Sequence, residues 1–374
     1  MGRRKRLLFY APWFAEYSTR MVQALGRDAD VLYVVNGDNC RTQCEEAWFK
    51  SATAGMRVIR FTVRKRPYRW FWTAVILVAG LLFRPDLVHI QEQPDWTSRL
   101  VTKVMRRLAP VVVTVHDPHP HSGTDAAYVE MRSRERAEIR DAASLFHVHG
   151  DYCKRELLKI DSTRPIVATF HGLIHCPGPD DLRSPEPGRI LFFGRMETYK
   201  GLEVLMDAMD LLAARGRDYR LVLAGRGPER QRLAARMEGR ADVILNDHYI
   251  TIEEAVEELQ RASLVVLPYL DATQSGVAAA AIANGRPIVA SATGGLIDVV
   301  QDGKNGLLVP PGDGAALADA LDRVLQDPAL RRVLTDGAVA SQQALSWERI
   351  AQALAGAYNS ISETEWRPRL GAAT

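Results

Sequence analysis

Short runs of β-branched and aromatic residues alternate along the chain with segments whose apolar positions recur at helical spacing. In the first half the runs at 6–12, 30–36, 56–62, 86–91, 111–117, 145–150 and 166–172 read as strands, and helical patterns such as 17–25 and 96–107 separate most of them. The alternation restarts after residue 188. Strands are expected at 189–195, 219–227, 243–247, 264–269, 287–291 and 305–313, with helices between them and to the end. Between the two halves lies "CPGPDDLRSPEPGR", whose prolines cannot continue a helix or a central strand. The pattern predicts an α/β protein of two Rossmann-like, doubly wound domains facing a central cleft. The first is placed at 1–175 and the second at 189–345. A linker joins them at 176–188, and a helical segment at 346–374 packs back toward the first domain.

At 374 residues the chain is long enough for two such domains, and 47% hydrophobic with 25% charged residues is ordinary for a globular protein. A net charge of +3 is too small to imply nucleic acid. The basic residues are clustered, however. "RRKR" precedes the first strand, and "RKRPYR" precedes the apolar run "WFWTAVILVAGLLF" at 70–83. That run is too short and too closely flanked for a membrane span. It reads either as a buried helix or, with 64–69, as a basic, aromatic-edged surface for peripheral contact with an anionic membrane. Four cysteines without zinc spacing, and no signal-peptide pattern at the start, lead to an expected cytoplasmic location, at the inner face of the membrane if the basic segment docks there.

Chemistry concentrates where strands end. "FFGRMETYKGL" gives strand, Gly194-Arg195, then Lys200-Gly201 opening a helix, a pattern that sets two cations beside free backbone amides and suits a pyrophosphate. "AGRGPE" places Gly225 and Gly227 in a tight turn without the third glycine of a dinucleotide fingerprint. "LPYLDATQSGV" is a buried strand, a polar turn and a helix start. There the amides near Ser275, Gly276 and Val277 can meet an anionic oxygen, and Asp271 or Gln274 can hold sugar or ribose hydroxyls.

The ordered set G-R-x4-K-G, A-G-x-G-P, L-P-Y-x-D-A-T-Q-S-G, A-x-G-x-P-I-V-A-x-x-x-G-G-L and D-G-x-N-G-L-L-V-P-P-G-D resembles the GT-B retaining glycosyltransferases of family 4 over most of residues 189–315. "RPDLVHIQ" and "VVVTVHDP" are similar to that family's acceptor-domain strands, whereas "APWFAEYSTRMVQAL" stands where the family usually has a Gly-Gly loop. The resemblance implies that Arg195 and Lys200 hold the donor diphosphate, beside Gly194. It implies that Gly225 and Gly227 line the nucleotide, that Gly276 and Val277 meet phosphate, and that His116 lies near the transferred sugar. The family's paired glutamates fall at Ala272 and Ala280, leaving Asp271 and Gln274 as the nearest substitutes. The implied function is retaining, hexosyl-type transfer from a nucleotide diphosphate sugar to a saccharide, lipid-linked or small-molecule acceptor, with no cofactor.

Histidines gather at first-domain strand ends. His116, His119 and His121 lie in "VTVHDPHPHSG", and His149 and His171 end later strands; all are candidates for the acceptor side. His119 and His121 could also hold a divalent metal, the basis of a competing reading as a metal-dependent hydrolase. The sole D-x-D, Asp28-Ala29-Asp30, leads into a strand and lacks a chelating loop, so no metal is required. The alanines at 272 and 280 support another alternative, a non-catalytic sugar-nucleotide-binding subunit.

Overall fold

The computed structural model describes residues 3–62, 66–119, 131–177 and 184–361. Among these residues thirteen strands form two all-parallel sheets, each strand overlapping a run read from the sequence. The first sheet contains β1 (Lys5–Ala11), β2 (Ala29–Asn36), β3 (Arg57–Phe61), β4 (Leu87–Gln91), β5 (Val111–Val115), β6 (Leu145–His149) and β7 (Ile166–Thr169), in the order β3-β2-β1-β4-β5-β6-β7. The second contains β8 (Arg189–Phe193), β9 (Arg220–Ala224), β10 (Val243–Asn246), β11 (Leu264–Leu267), β12 (Ile288–Ser291) and β13 (Gly306–Val309), in the order β10-β9-β8-β11-β12-β13. Strand order therefore reverses between β1 and β4 and again between β8 and β11, the two places where a doubly wound sheet leaves a crevice.

Helices cover both faces of each sheet, which is why central strands such as β5 are buried at every position. Alternation along β1 sends Leu7, Phe9 and Ala11 to one face and Leu8 and Tyr10 to the other. The first face is completed from far along the chain. The helix Trp347–Ser360 packs on the helix Ala15–Leu25, bringing Trp347, Leu354 and Tyr358 into the same apolar cluster. The Trp347 indole donates to the carbonyl of Leu173 at 2.7 Å. Gly172 must lack a side chain, because a Cβ there would lie 2.3 Å from the Trp347 ring.

The helix Arg66–Phe83 does not behave as a buried helix. Thr73, Ile76 and Phe83 face inward, but Tyr68, Trp70, Phe71, Val78, Leu81 and Leu82 are exposed, Leu82 at 78%. The outer layer of an α/β sandwich offers a helix one neighbouring surface, so the excess apolar residues have nothing to cover them. Among the described residues no helix is long and apolar enough to cross a membrane.

One contact between the halves is notable for its chemistry. The helix Gly150–Ile160 has no capping side chain from its own flank; instead Asp298, from the second half, accepts from the backbone N–H of Tyr152 at 2.7 Å. A carboxylate there satisfies free amides and opposes the positive end of the helix dipole, an effect worth about 1 kcal/mol. Gly150 has φ of 83°, and a Cβ on it would sit 2.5 Å from the Asp298 Oδ2.

Candidate active site

A cavity of about 840 Å³ lies between the two sheets, walled by loops that leave the carboxyl ends of β1, β5, β7, β8, β9, β10 and β11. On the side of the second sheet, the loops after β8 and β11 straddle the reversal of strand order. They are stitched together: Leu270 N donates to Tyr199 O at 2.8 Å, and Gly201 rests against Pro268. Gly201 has φ of 66°, and a Cβ there would lie 1.8 Å from the Pro268 carbonyl oxygen, so only glycine permits this approach. The stitch fixes the preceding residue. Lys200 Nζ sits 3.7 Å from the centroid of the Tyr269 ring, a cation held over an aromatic face.

Among the described residues no carboxylate forms an ion pair with Lys200. Burial pushes its pKa down, Arg195 adds to that, and Asp117 across the cavity only partly opposes, leaving it at about 7. A like charge so close disfavours the protonated form of Lys200, and an anion at the same wall favours it. The helix Gly276–Ala283 starts at the same wall. Ser275 caps it by accepting from Ala278 N at 3.2 Å, while Gly276 and Val277 face the cavity. The alanines behind them are buried and let this helix pack closely in the core of the second half. Arg195, Lys200 and this helix start together turn positive charge toward the cavity, an arrangement suited to an anion.

Gly194, Arg195, Lys200, Gly225, Gly227, Gln274, Ser275, Gly276, Val277 and His171 all line the cavity. Asp271 is not among the lining residues; its neighbour Ala272 takes that position. Ala280 is fully buried in the apolar cluster of the second half. His119 is exposed and pairs with Glu156 at 3.4 Å, and His121 lies outside the described residues. Among the described residues no group of three or more histidine, cysteine or acidic side chains is disposed to hold a metal, and the His119–His121 pair of the hydrolase reading lies partly outside them.

His116 and His149 belong instead to a buried ladder. His116 Nε2 is 2.7 Å from Gln91 Oε1, and the rings of Phe14 and Tyr17, which do line the cavity, pack against it at 4.4 and 5.3 Å. Behind it, the Tyr358 hydroxyl meets His89 Nδ1 at 2.5 Å, His89 Nε2 meets Thr114 at 2.6 Å, Thr114 meets His147 at 2.9 Å and His147 meets Thr169 at 2.8 Å. The ring of His149 lies among those of His147, His116 and His171 at 5.0 to 5.3 Å, edge-on to the first and tilted to the other two. Burial holds all five histidines neutral: His89 and His116 fall to about 3, His171 to about 4, and His147 and His149 well below the usual value.

The wall opposite the cations contains residues that sequence patterns did not single out. Glu16 opens the helix Ala15–Leu25 and lines the cavity. Its Oε1 accepts from Arg20 Nε at 3.0 Å and from His175 N at 2.9 Å, and its Oε2 is 3.1 Å from His175 Nδ1. Burial alone would raise the Glu16 carboxyl, but His175 and Arg20 outweigh it and hold the group at about 2. Asp117 accepts from the Thr273 hydroxyl, tying the first half to the loop after β11. Thr42 and Gln43 complete this wall. An acid in a first helical turn ordinarily signals only dipole compensation. Its flanking Phe14 and Tyr17, apolar and directed into the cleft, are the signal that could have identified it.

Two family models match the chain: "Glycosyl transferase 4-like domain" over residues 14–154 and "Glycosyl transferases group 1" over 187–327. A D-inositol 3-phosphate glycosyltransferase of Corynebacterium aurimucosum is 33% identical over 311 residues, 75% of this chain and 73% of that protein. An alpha-D-kanosaminyltransferase of Streptomyces kanamyceticus is 32% identical over 175 residues, 46% of this chain and 45% of the relative. The chain spans under half the length of the first curated relatives it matches. Among solved structures, the sucrose-phosphate synthase of Thermosynechococcus elongatus superposes with a TM-score of 0.72 at 22% identity, covering 96% of this chain and 99% of the other. HepE of Anabaena, solved in complex with UDP, superposes with a TM-score of 0.68 at 17% identity, covering 95% and 100%. The two facing sheets are thus the GT-B arrangement.

Proposed function

The chain belongs to the group 1 glycosyltransferases, and from that membership and the geometry of the cleft we propose that it transfers a hexosyl group from a nucleotide diphosphate sugar to an acceptor hydroxyl, with retention of anomeric configuration. The observation that carries this reading is the Arg195–Lys200 pair, set beside the start of the helix Gly276–Ala283 at the wall of the cavity. Those groups bind the diphosphate and stabilise the charge that develops on it as the glycosidic bond breaks. The nucleoside lies along the loops after β9 and β10, and the acceptor approaches from the side of Glu16, Thr42 and His171. With the leaving diphosphate itself available to take the acceptor proton on the same face, the protein need not supply a strong base.

Calorimetry and product analysis with a panel of nucleotide sugars test the proposal. A nucleoside diphosphate is expected to bind, and one of its sugars to be consumed with the same anomeric configuration in the product. Because fixed cations stand at the diphosphate site, transfer is expected to continue in EDTA. Absence of nucleotide binding across the panel, or an inverted product, contradicts the reading.

We further propose that the helix Arg66–Phe83 rests on an anionic membrane surface while the cleft works. Exposed Trp70, Phe71 and Leu82 would enter the headgroup region, next to a basic stretch. Replacing Trp70, Phe71 and Leu82 by serine is expected to lower sedimentation with phosphatidylglycerol vesicles about tenfold or more. Unchanged co-sedimentation argues against it.

A further inference from the structure

The charges in the cavity are divided unevenly between the sheets. Arg195, Lys200, Arg226 and Arg230 come from the second half, where a diphosphate needs them, and the one described lining carboxylate of that half, Asp247, pairs with Arg230 at 2.9 Å. From the first half, the described lining residues include two carboxylates, Glu16 and Asp117, and neither a lysine nor an arginine. The nearby guanidinium groups are committed elsewhere. Arg20 binds Glu16 and covers the Trp48 ring. Arg136 and Arg140 pair with Glu92 and donate to the backbone carbonyl of Asp117, behind the cavity wall. What this wall offers a ligand is hydroxyl, amide, imidazole and carboxylate: Thr42, Gln43, His171, His175 and Asp117.

Resting on the assignment of the cleft to sugar transfer, we propose that the acceptor subsite takes a neutral or amine-bearing polyol ring and rejects one carrying a phosphate or carboxylate. An anionic ring there would lose its hydration shell and face Asp117 and the Glu16 pair, and among the described residues the first half lines this wall with no lysine or arginine to receive it. A hydroxyl or ammonium group instead gains an acceptor at Asp117. The Corynebacterium relative is named for a phosphorylated acceptor, D-inositol 3-phosphate, so the subsite of this chain has a different charge preference from the one that name implies.

The test compares glucose, glucosamine and glucose 6-phosphate, one ring in three charge states. Each is added to protein saturated with UDP, so that the cationic site cannot capture the phosphate, and binding is read by saturation-transfer NMR. Glucose and glucosamine are expected to bind, with glucose 6-phosphate weaker by about tenfold or more. Asp117→Asn and Glu16→Gln are each expected to narrow that gap, the first also weakening glucosamine. Glucose 6-phosphate binding as well as glucose overturns the inference, as does a gap unaltered in both variants. Failure of UDP itself to bind is a separate result and counts against the assignment of the cleft to nucleotide-sugar chemistry.

Discussion

Lys200→Met is expected to lower kcat/KM for transfer by about two to three orders of magnitude and, in the same protein, to raise the melting temperature by a few degrees. The two effects have one cause. Lys200 is pushed down to about 7 by burial and by Arg195, against an ordinary value of 10.5. A folded value below the unfolded one means that folding disfavours the charged form. The cost is absent above pH 10.5, grows as pH falls, and is complete below 7, where it reaches at most about 4–5 kcal/mol. Lys200 keeps some surface toward the cavity, so the actual cost is smaller. Methionine fills the same space over the Tyr269 ring without charge and removes it. Bound diphosphate removes it differently, by pairing with the ammonium group. Binding therefore takes up a proton above pH 7, and UDP affinity is expected to fall about tenfold per pH unit there. In Lys200→Met that slope should vanish. Wild-type turnover in the variant, or a lower melting temperature, contradicts the role given to this residue.

The second large effect is acid lability. His89, His116, His147, His149 and His171 are held neutral in the fold with pKa values below the unfolded 6.5, chiefly by burial. The unfolded chain then binds more protons than the folded one at acid pH. Stability from this source is constant above about 6.5 and declines as pH falls below it. At pH 5 each histidine contributes about 2 kcal/mol of loss, and five together approach the whole stability of an ordinary protein. Glu16 acts in a lower window: held at about 2, it contributes stability that is lost only as pH falls from 4.5 toward that value. Cooperative unfolding is thus expected between about pH 6 and 5 by circular dichroism. His147→Gln and His149→Gln are expected to shift that midpoint to lower pH; a native spectrum retained at pH 4 rules the account out.

Strand identity and order of chemistry were legible because they are local. Every strand sits in an apolar run read from the sequence, and the Gly194-Arg195 and Lys200-Gly201 pairs lie in the loop where their spacing sets them. What was not legible depends on distance in the chain or on a single step in a turn. Glu16 acquires its role from His175, 159 residues away. Asp271 and Ala272 are neighbours, yet the backbone between Leu267 and Gly276 puts the alanine at the cavity and the acid off it. His116 ends its strand as the pattern requires, but Phe14 and Tyr17, from a different strand end, pack on its ring. No sequence periodicity encodes that interposition. The apolar helix Arg66–Phe83 was ambiguous for another reason: composition fixes how apolar a helix is but not how much neighbouring surface it will find.

The cap that Asp298 places on the helix Gly150–Ile160 also bears on how such enzymes can be recombined. Acceptor and donor halves of a two-domain transferase look like interchangeable modules, each with its own sheet and core. Here the start of one half's helix is completed by a carboxylate from the other, and the fit admits no side chain at Gly150. A chimera that draws its halves from different parents must inherit Gly150 and Asp298 as a pair. Parents that solve this contact in another way would yield hybrids whose halves fold but do not seat.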